Sequence, residues 1–434
     1  MCISLSINHT LVFKIRFVFY GGAREVGRSC IGLESGESSI LMDCGIKLTP
    51  EGPEYPNLPD RLDCFILSHA HLDHCGMVPT LYKRFLCPLY STDISFDISH
   101  ILQRDSLKIT LSEGLAPEYD YDDIDLAALG ENPLGYKQRV ELNENISFKL
   151  IDAGHIPGSA MVLLEVEEEG ETKRVLYTGD VKTSDTRLLK AAQVPKADIL
   201  LCESTYGDRF HPDRAEMENS LLEGVESTLG RGGNAVVASF ALGRTQELLL
   251  ILKDLGYPVY LDGMGGDLTK LMLQYPRYLR DVKALKKAVE DVIWVEHNGM
   301  RKQAVKEPSI IVSTAGMLTG GPIIYYLKKL QGDARSTIFL TGYQVEETNG
   351  RLLMDKGFIV DPRSGRRIDI GLDVRYLDFS AHDGRRQLEQ LVKDVDPGKC
   401  FLLHGDPASC ESFGEFTSQV CESFIPELNS AVEV

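Results

Sequence analysis

Short apolar segments that end in polar residues recur from residue 14 to residue 207. Segments of this kind, rich in branched and aromatic residues and bounded by Gly or Asp, are typical of buried strands. The clearest are KIRFVFY (14–20), SILMD (39–43), DCFILSH (63–69), FKLIDAGH (148–155), RVLYTGD (174–180) and ADILLCEST (197–205). Because α/β folds gather functional groups in the loops after their strands, the polar ends predict a site there.

The pattern changes between residues 208 and 372, where strand-like and helix-like segments alternate. Such alternation predicts a parallel or mixed sheet covered by helices, and here a separate, inserted domain. The segments are NAVVASF (234–240), GRTQELLLILKDL (243–255), PVYLD (258–262), SIIVST (309–314), PIIYYLKKL (322–330) and STIFLTGY (336–343). VRYLDFSAH (374–382) and GKCFLLHGD (398–406) then restore the first pattern. The predicted division is a first domain over 1–207, an inserted domain over 208–372, and a return segment over 373–434.

Composition narrows the class of protein. A chain of 434 residues with 43% hydrophobic residues suits two globular domains. The ten cysteines occur singly, which favours reduced thiols and a cytoplasmic location. No segment approaches the length of a membrane span. The net charge of −18 argues against broad electrostatic adhesion to nucleic acid.

The chemistry concentrates in HAHLDH (69–74). His69 and His71 alternate, so an extended backbone would place both on one side. Asp73 and His74 would then enter a helix predicted over 72–85 and could face a second ion. Zinc accepts such nitrogen and oxygen ligands. With only ten histidines in the chain, a chance grouping of three is improbable.

Three further residues occur at strand ends and could complete two metal sites: His155, Asp180 and His404. Each alone is weak evidence, since a lone strand-end histidine or aspartate is more often a capping residue. Their shared context favours one converging site in which Asp180 could bridge two ions. Two close ions would clamp both sides of a phosphoryl centre during displacement.

Together, these motifs resemble a known family. HAHLDH, GHIPGS and TGD look like the signature of the metallo-β-lactamase superfamily. ESTYGDR, SFALGRTQELL, STAGMLTGGP, FLTGYQ, FSAH and HGD resemble the β-CASP nucleases, which include the pre-mRNA 3′-end cleavage endonuclease, its archaeal counterparts and ribonuclease J. The resemblance covers residues 15 to 406. It implies an α/β fold: a metallo-β-lactamase αββα sandwich with an inserted α/β β-CASP domain.

The resemblance also implies two zinc ions and a set of catalytic residues. One ion would be held by His69, His71 and His155, and the other by Asp73, His74 and His404, with Asp180 bridging. Asp43 is expected to orient metal ligands and Glu203 to pair with His382, so the expected catalytic residues are Asp43, Asp73, Glu203 and His382. His382 would protonate the leaving oxygen or bind the scissile phosphate, although a purely structural link between domains is an alternative.

Substrate contacts are expected at Arg244, Gly316, Ser380 and His382. In the family, the GMLTGGP turn (316–322) lies at the domain interface near the cleft. Ordinary turn chemistry would equally explain the glycines of this turn and of GMGG (263–266). Lys182, Arg209 and Arg351 could also contact phosphates.

The expected function is a zinc-dependent ribonuclease, endonucleolytic or 5′-to-3′ exonucleolytic, in RNA processing or decay. Three alternatives stay open: a small-molecule hydrolase, a DNA-directed β-CASP nuclease, and a non-catalytic scaffold subunit. The inserted domain and the pair of Glu203 with His382 argue against the first, His404 against the second, and the full ligand set against the third. The expected partner is RNA, with no membrane. A second copy of the chain or subunits of an RNA-processing complex could also bind.

Overall fold

The computed structural model describes residues 14–49, 52–168 and 170–434. Residues 1–13, which include Cys2 and the start of the predicted first domain, lie outside the described residues. In the described ranges the strands are β1 (Arg16–Gly21), β2 (Cys30–Ser35), β3 (Ser38–Met42), β4 (Lys47–Thr49), β5 (Gly52–Glu54), β6 (Cys64–Ile66), β7 (Leu89–Ser91), β8 (Glu131–Pro133), β9 (Arg139–Glu141), β10 (Ile146–Asp152), β11 (Ala160–Glu168), β12 (Glu171–Tyr177), β13 (Ile199–Glu203), β14 (Ala235–Ala238), β15 (Val259–Asp262), β16 (Ile293–Trp294), β17 (Ile310–Ser313), β18 (Thr337–Leu340), β19 (Phe358–Val360), β20 (Arg367–Asp369), β21 (Asp373–Tyr376), β22 (Lys399–Leu403), β23 (Glu422–Phe424) and β24 (Ala431–Glu433).

The α-helices of the same ranges cover the sheets and connect their strands. They are α1 (Leu72–Cys75), α2 (Val78–Arg84), α3 (Asp93–Ser112), α4 (Tyr121–Ala128), α5 (Arg214–Gly230), α6 (Arg244–Leu252), α7 (Gly265–Met272), α8 (Val282–Val289), α9 (Asn298–Ala304), α10 (Ile323–Leu330), α11 (Asn349–Lys356), α12 (Arg385–Val395) and α13 (Pro407–Thr417). Within the described part of the chain, no helix is both long and apolar enough to cross a bilayer.

Two seven-stranded sheets pack face to face. Their strand orders are β24-β1-β2-β3-β6-β7-β8 and β23-β22-β13-β12-β11-β10-β9. Between them lies a core to which Phe17, Phe148 and Phe401 contribute fully buried rings. Successive residues of a strand face opposite sides of the sheet. In β3, Ile40 and Met42 point into this core, whereas Leu41 packs with the helices on the outer face. This arrangement is the predicted αββα sandwich.

The outer face of each sheet is covered by helices. Leu41 and Phe65 of the first sheet pack with Leu81 of α2 and Phe96 of α3. On the second sheet, Leu200 and Leu402 pack with Leu388 of α12 and Phe413 of α13. Strands buried on both faces explain why the sequence shows continuous apolar runs rather than strict alternation.

A third sheet of six strands has the order β16-β15-β17-β14-β18-β21, and its strand pairs are parallel. Val237 faces a core built with α5, α6 and α8, while Val236 faces one built with α10 and α11. This is the helix-covered sheet that the alternating pattern predicts. β21 pairs with β18 here, although VRYLDFSAH was expected to open the return segment. The division into 1–207, 208–372 and 373–434 stays a prediction.

The single helix predicted over 72–85 is wrong, because the segment forms α1 and α2 with a break between them. The N–H of Met77 donates to the carbonyl of Cys44 at 2.8 Å instead of continuing α1. Pro79, which has no N–H, lies in the first turn of α2, where none is required. The break leaves α1 as one short turn that carries Asp73 and His74.

Candidate metal centre

The predicted ligands come from loops that follow strands of both sandwich sheets. The HAHLDH segment follows β6 of the first sheet, and His155, Asp180 and His404 follow β10, β12 and β22 of the second. All seven residues converge at one edge of the sandwich, where their donor atoms form two neighbouring groups.

The first group contains His69, His71, His155 and Asp180. Nδ1 of His71 lies 3.2 Å from Nε2 of His69 and 3.1 Å from Nε2 of His155. Oδ2 of Asp180 lies 3.4 Å from the His69 nitrogen and 3.5 Å from the His155 nitrogen. A tetrahedral zinc with bonds of about 2.0–2.1 Å would hold its ligand atoms about 3.3 Å apart. These donors therefore fit one divalent metal ion.

The second group contains Asp73, His74 and His404. Oδ2 of Asp73 lies 3.3 Å from Nε2 of His404 and 4.0 Å from Nε2 of His74. The other oxygen of Asp180, Oδ1, lies 3.3 Å from Nε2 of His74. One carboxylate thus presents an oxygen to each group, as a bridging ligand does.

Two atoms of this centre are buried without a hydrogen-bond partner among the described residues: Nε2 of His74 and Oδ1 of Asp180. Burying unpaired polar atoms is unfavourable unless another interaction compensates. A cation between them would supply that interaction, so the donor set fits a second metal ion beside the first.

The protonation states of the three histidines in the first group also suit metal binding. Burial lowers the pKa of His69 and of His155, and it lowers the pKa of His71 to about 3. These imidazoles are therefore neutral near pH 7, which is the form that binds metal. Burial would raise the pKa of Asp180, but the charges of His404 and His74 hold it well below its usual value.

Asp43 orients His74 from behind. Oδ2 of Asp43 lies 2.7 Å from Nδ1 of His74 and accepts at the same distance from the hydroxyls of Ser68 and Tyr177. Its Oδ1 accepts from the Ser68 N–H at 2.7 Å. Holding Nδ1 in this way directs Nε2 of His74 towards the donor group.

Sequence reasoning missed several residues that support the ligands. Ser68 and Tyr177 directly precede the HAHLDH and TGD motifs, a position that could have singled them out. Thr205 Oγ1 lies 3.1 Å from Nδ1 of His404. Nδ1 of His155 donates to the carbonyl of Ala381 at 3.0 Å. The last contact joins residues far apart in sequence, and no local pattern indicates it.

Glu203 and His382 form a pair beside the first donor group. Nδ1 of His382 lies 3.1 Å and 3.2 Å from the two oxygens of Glu203, which also accepts from the N–H of Val181. The ring of His382 lies 4.7 Å from that of His155. Burial opposes charge on His382, but Glu203 and Asp180 raise its pKa to about 9.

Comparisons with known proteins bear on this arrangement. Residues 245–353 match the model described as "Beta-Casp domain", and residues 367–417 match "Zn-dependent metallo-hydrolase RNA specificity domain". Residues 24–219 match "Anti-Pycsar protein Apyc1". A protein of Methanocaldococcus jannaschii named "Probable RNase MJ4" is 41% identical over 406 residues, which are 90% of this chain and 93% of that protein. The chain belongs to the archaeal β-CASP nuclease family.

Further members of the β-CASP family align over most of the chain. "RNase aCSPSF2" of Saccharolobus solfataricus is 36% identical, and the alignment spans 92% of this chain and 81% of that protein. "Transcription termination factor FttA" of M. jannaschii is 35% identical, covering 97% of this chain and 72% of its own length. A crystal structure from Enterococcus faecalis, titled as a protein of unknown function, has a TM-score of 0.62 and 14% identity. It covers 97% of this chain and all of its own, and it shows the shared fold.

The residues predicted to contact the substrate have different surroundings in this β-CASP protein. Ser380 accepts a hydrogen bond from the N–H of His382 at 3.1 Å, next to the pair of His382 with Glu203. Arg244 opens α6, and its guanidinium lies 5.8 Å from the Phe379 ring centre. Its buried Nε has no hydrogen-bond partner in the described part of the chain. Burial, then the charge of Arg214, lowers the pKa of Arg244 to about 10, so it remains a cation. Gly316 instead packs against Phe240, and its carbonyl accepts from Gln344.

The other three basic residues named from the sequence are already paired. Lys182 donates to the carbonyl of His382 at 2.7 Å, which fixes the loop that carries the histidine. Arg209 pairs with Asp208 at 3.0 Å, and Arg351 pairs with Asp355 at 2.7 Å. Among the basic residues that the sequence suggested, Arg244 is therefore the clearest candidate for a phosphate contact.

Proposed function

We propose that this protein hydrolyses RNA phosphodiester bonds as a two-zinc ribonuclease. The observation that carries the proposal is the shared carboxylate of Asp180: it joins two donor groups and lies beside a carboxylate-backed imidazole. The names of the relatives and the RNA-specificity description of residues 367–417 support RNA as the substrate.

The proposed ligands divide as the donor atoms do. His69, His71 and His155 would hold one zinc ion, and Asp73, His74 and His404 the other, with Asp180 shared. A set of imidazoles and carboxylates suits zinc. When bound, the two ions supply Lewis acidity that lowers the pKa of water and neutralises charge on the phosphoryl oxygens.

His382 is the proposed general acid. Its Nδ1 is held by Glu203, so Nε2 is the nitrogen available to the substrate. The carboxylate of Glu203 raises the pKa of His382, which favours the protonated imidazole near neutral pH. It can therefore donate a proton to the departing 3′-oxygen, which is a poor leaving group as an alkoxide. Asp43 acts through His74, which it orients.

Arg244 is the proposed phosphate contact in the cleft. A buried guanidinium with an unpartnered N–H is poorly compensated in the free protein. A phosphate oxygen would accept from it in a charge-assisted hydrogen bond. Confining positive charge to the cleft in this way reconciles an RNA substrate with a net charge of −18.

Two substitutions separate metal binding from proton transfer. Asp180→Asn should lower bound zinc and abolish cleavage, because it removes the shared charge. His382→Ala should retain the parent's zinc content yet lower the cleavage rate by about 10²–10⁴-fold, since only the acid is lost. Zinc is measured by mass spectrometry and cleavage with an end-labelled RNA.

Asp254→Asn serves as the control, because that side chain is 76% exposed on the surface. It should match the parent in both measurements. Parental cleavage by His382→Ala would overturn the acid role, and parental zinc with parental cleavage in Asp180→Asn would overturn the metal centre.

A further inference from the structure

A chain of aromatic rings leads outward from the proposed acid. The ring of Tyr206 lies 5.9 Å from that of His382, and the ring of Tyr343 lies 6.3 Å from that of Tyr206. Tyr206 is buried, whereas Tyr343 is 37% exposed. The series of rings therefore begins beside the metal centre and ends at the surface.

An arginine lies across this outer end. The guanidinium carbon of Arg209 is 5.4 Å from the ring centre of Tyr206 and 5.5 Å from that of Tyr343. Its side chain is 45% exposed although it pairs with Asp208. The guanidinium thus adds a second planar, accessible group next to the Tyr343 ring.

A second exposed tyrosine belongs to the same surface. Tyr376 ends β21 opposite Leu340, the last residue of β18, and Tyr343 follows Leu340 by three positions. Because parallel strands carry their C-terminal ends to one edge, both tyrosines lie at the same edge of the sheet. Tyr376 is 41% exposed.

The loop that carries Arg209 is fixed before any ligand binds. The guanidinium of Arg385 donates to the carbonyl of Gly207 at 2.5 Å, and the Arg385 N–H donates to the carbonyl of Arg209 at 2.9 Å. A surface whose groups are already positioned loses little entropy on binding.

We propose that Tyr343, Arg209 and Tyr376 form a stacking platform for an unpaired base of the RNA, on the 5′ side of the scissile phosphate. Bases stack on aromatic rings and on guanidinium planes, and this contact tolerates any sequence. The side follows from the chemistry: His382 protonates the 3′-oxygen of the nucleotide 5′ to the cut, and the platform lies beyond His382 from the metal centre. The inference rests on the proposed ribonuclease activity.

The platform also explains how a protein with an acidic net charge can bind RNA. Stacking contributes affinity without a basic surface, so the strand can be held beside the cleft by contacts that do not depend on neutralising many phosphates. Exposed tyrosine and arginine also occur at protein–protein interfaces. The ring contacts that link Tyr343 through Tyr206 to His382 favour the RNA strand as the occupant, because the scissile phosphate must lie at that histidine.

The test uses an unstructured RNA whose cut position has been mapped with the zinc-loaded protein. An abasic nucleotide replaces each position in turn, and kcat and KM are measured for the parent and for Tyr343→Ala. One abasic nucleotide within two positions 5′ of the cut should lower the parent's kcat/KM by roughly 5–150-fold, which corresponds to about 1–3 kcal/mol of stacking. In Tyr343→Ala the intact RNA should show that loss, and the abasic nucleotide should add little.

Two control variants test whether the effect depends on the aromatic ring and on its position. Tyr343→Phe keeps the ring and should stay within about twofold of the parent, since stacking needs no hydroxyl. Tyr121→Ala removes another exposed tyrosine that also has an arginine, Arg104, over its ring, at 5.7 Å. Tyr121 lies at the start of α4 and belongs to no part of the proposed site. Its variant should show the parent's full abasic sensitivity.

Binding provides a readout that does not need cleavage. With 2-aminopurine at the sensitive position, zinc-loaded His382→Ala should quench the fluorescence by stacking, and adding Tyr343→Ala should abolish the quenching. Cleavage without any position coupled to Tyr343 would overturn the platform. Coupling on the 3′ side would overturn its assignment to the leaving-group side. If His382→Ala quenched the fluorescence but the parent protein did not cleave RNA, the platform would stand and the proposed ribonuclease activity would be overturned.

Discussion

At the scale of single residues, the proposed metal centre depends on groups that would not themselves touch the ions. Asp43 accepts hydrogen bonds from the backbone N–H and the hydroxyl of Ser68 and from the hydroxyl of Tyr177, and its contact with Nδ1 fixes His74. A buried carboxylate with this many partners is rigid. It therefore holds the imidazole of His74 in one tautomer and one orientation.

Replacing this carboxylate should weaken metal binding without removing a ligand. Asp43→Asn is expected to lower zinc affinity by about 10–100-fold, because an amide can no longer accept all of these bonds. Competition with a chromophoric chelator measures the change. Asp63→Asn is the control, since Asp63 also accepts a backbone N–H, from Ser39, at 2.8 Å but belongs to no donor group. Parental affinity in Asp43→Asn would contradict the orienting role.

The sequence indicated the donor residues because their spacing is local and repeated at strand ends. HAHLDH supplies four of them in six positions, and the others follow apolar strands. It could not indicate Thr205 or the carbonyl of Ala381, because those contacts depend on which loops meet in space. Gly316 is a different case: its glycine-rich turn suggested a substrate contact, which stays a prediction, and the fold places it beside Phe240 and Gln344.

At the scale of helices and strands, the apolar pattern predicted the sheets and their covering helices better than it predicted each individual strand and helix boundary. The strands before the motifs were recognisable, but β11 was not singled out. Its run AMVLLEV is apolar on both faces, which periodicity alone does not distinguish from a buried helix. The break between α1 and α2 was missed although Pro79, a residue that favours the first turn of a helix, indicated it in the sequence. The hydrogen bond of Met77 to Cys44 could not be read from any local pattern.

The sandwich core should be sensitive to loss of a ring that joins its sheets. Phe401 of β22 is fully buried, and its ring lies 5.3 Å from that of Phe17 and 4.7 Å from that of Phe424. Phe401→Ala should lower the free energy of unfolding by about 3–5 kcal/mol, through lost burial and the cavity left behind. Chemical denaturation measures this value.

An exposed phenylalanine provides the matched comparison. Phe210 is 65% exposed, so Phe210→Ala should change the free energy of unfolding by less than about 0.5 kcal/mol. Equal effects of the two substitutions would show that the core described between the sheets does not support the fold.

At the scale of the whole molecule, the acidic charge limits how RNA can be held. A net charge of −18 opposes non-specific adhesion to a polyanion. The cations proposed to meet the strand are few: Arg244 lies beside Phe379, three residues before His382, and Arg209 lies beside Tyr206. Stacking supplies affinity without charge. RNA binding should therefore be weakly dependent on salt.

This expectation is measurable as a slope. For single strands the logarithm of affinity falls by about 0.7 per phosphate contact for each tenfold rise in salt. With few contacts, zinc-loaded His382→Ala should give a slope of about −1 to −3 in fluorescence-anisotropy titrations with RNA. Arg244→Gln should make the slope shallower by about 0.7, whereas Arg139→Gln, at an exposed and paired arginine, should not. A slope steeper than about −5 would instead indicate an extended basic groove.

If two zinc ions in this centre support hydrolysis of RNA, cleavage should follow the zinc content, and a metal titration measures that dependence. The protein is stripped with a chelator and zinc is returned in measured equivalents while cleavage of an end-labelled RNA is followed. We expect no cleavage by the stripped protein and a rate that rises to a plateau at two equivalents. Cleavage at the full rate without metal, or no cleavage with two equivalents bound, would contradict the claim.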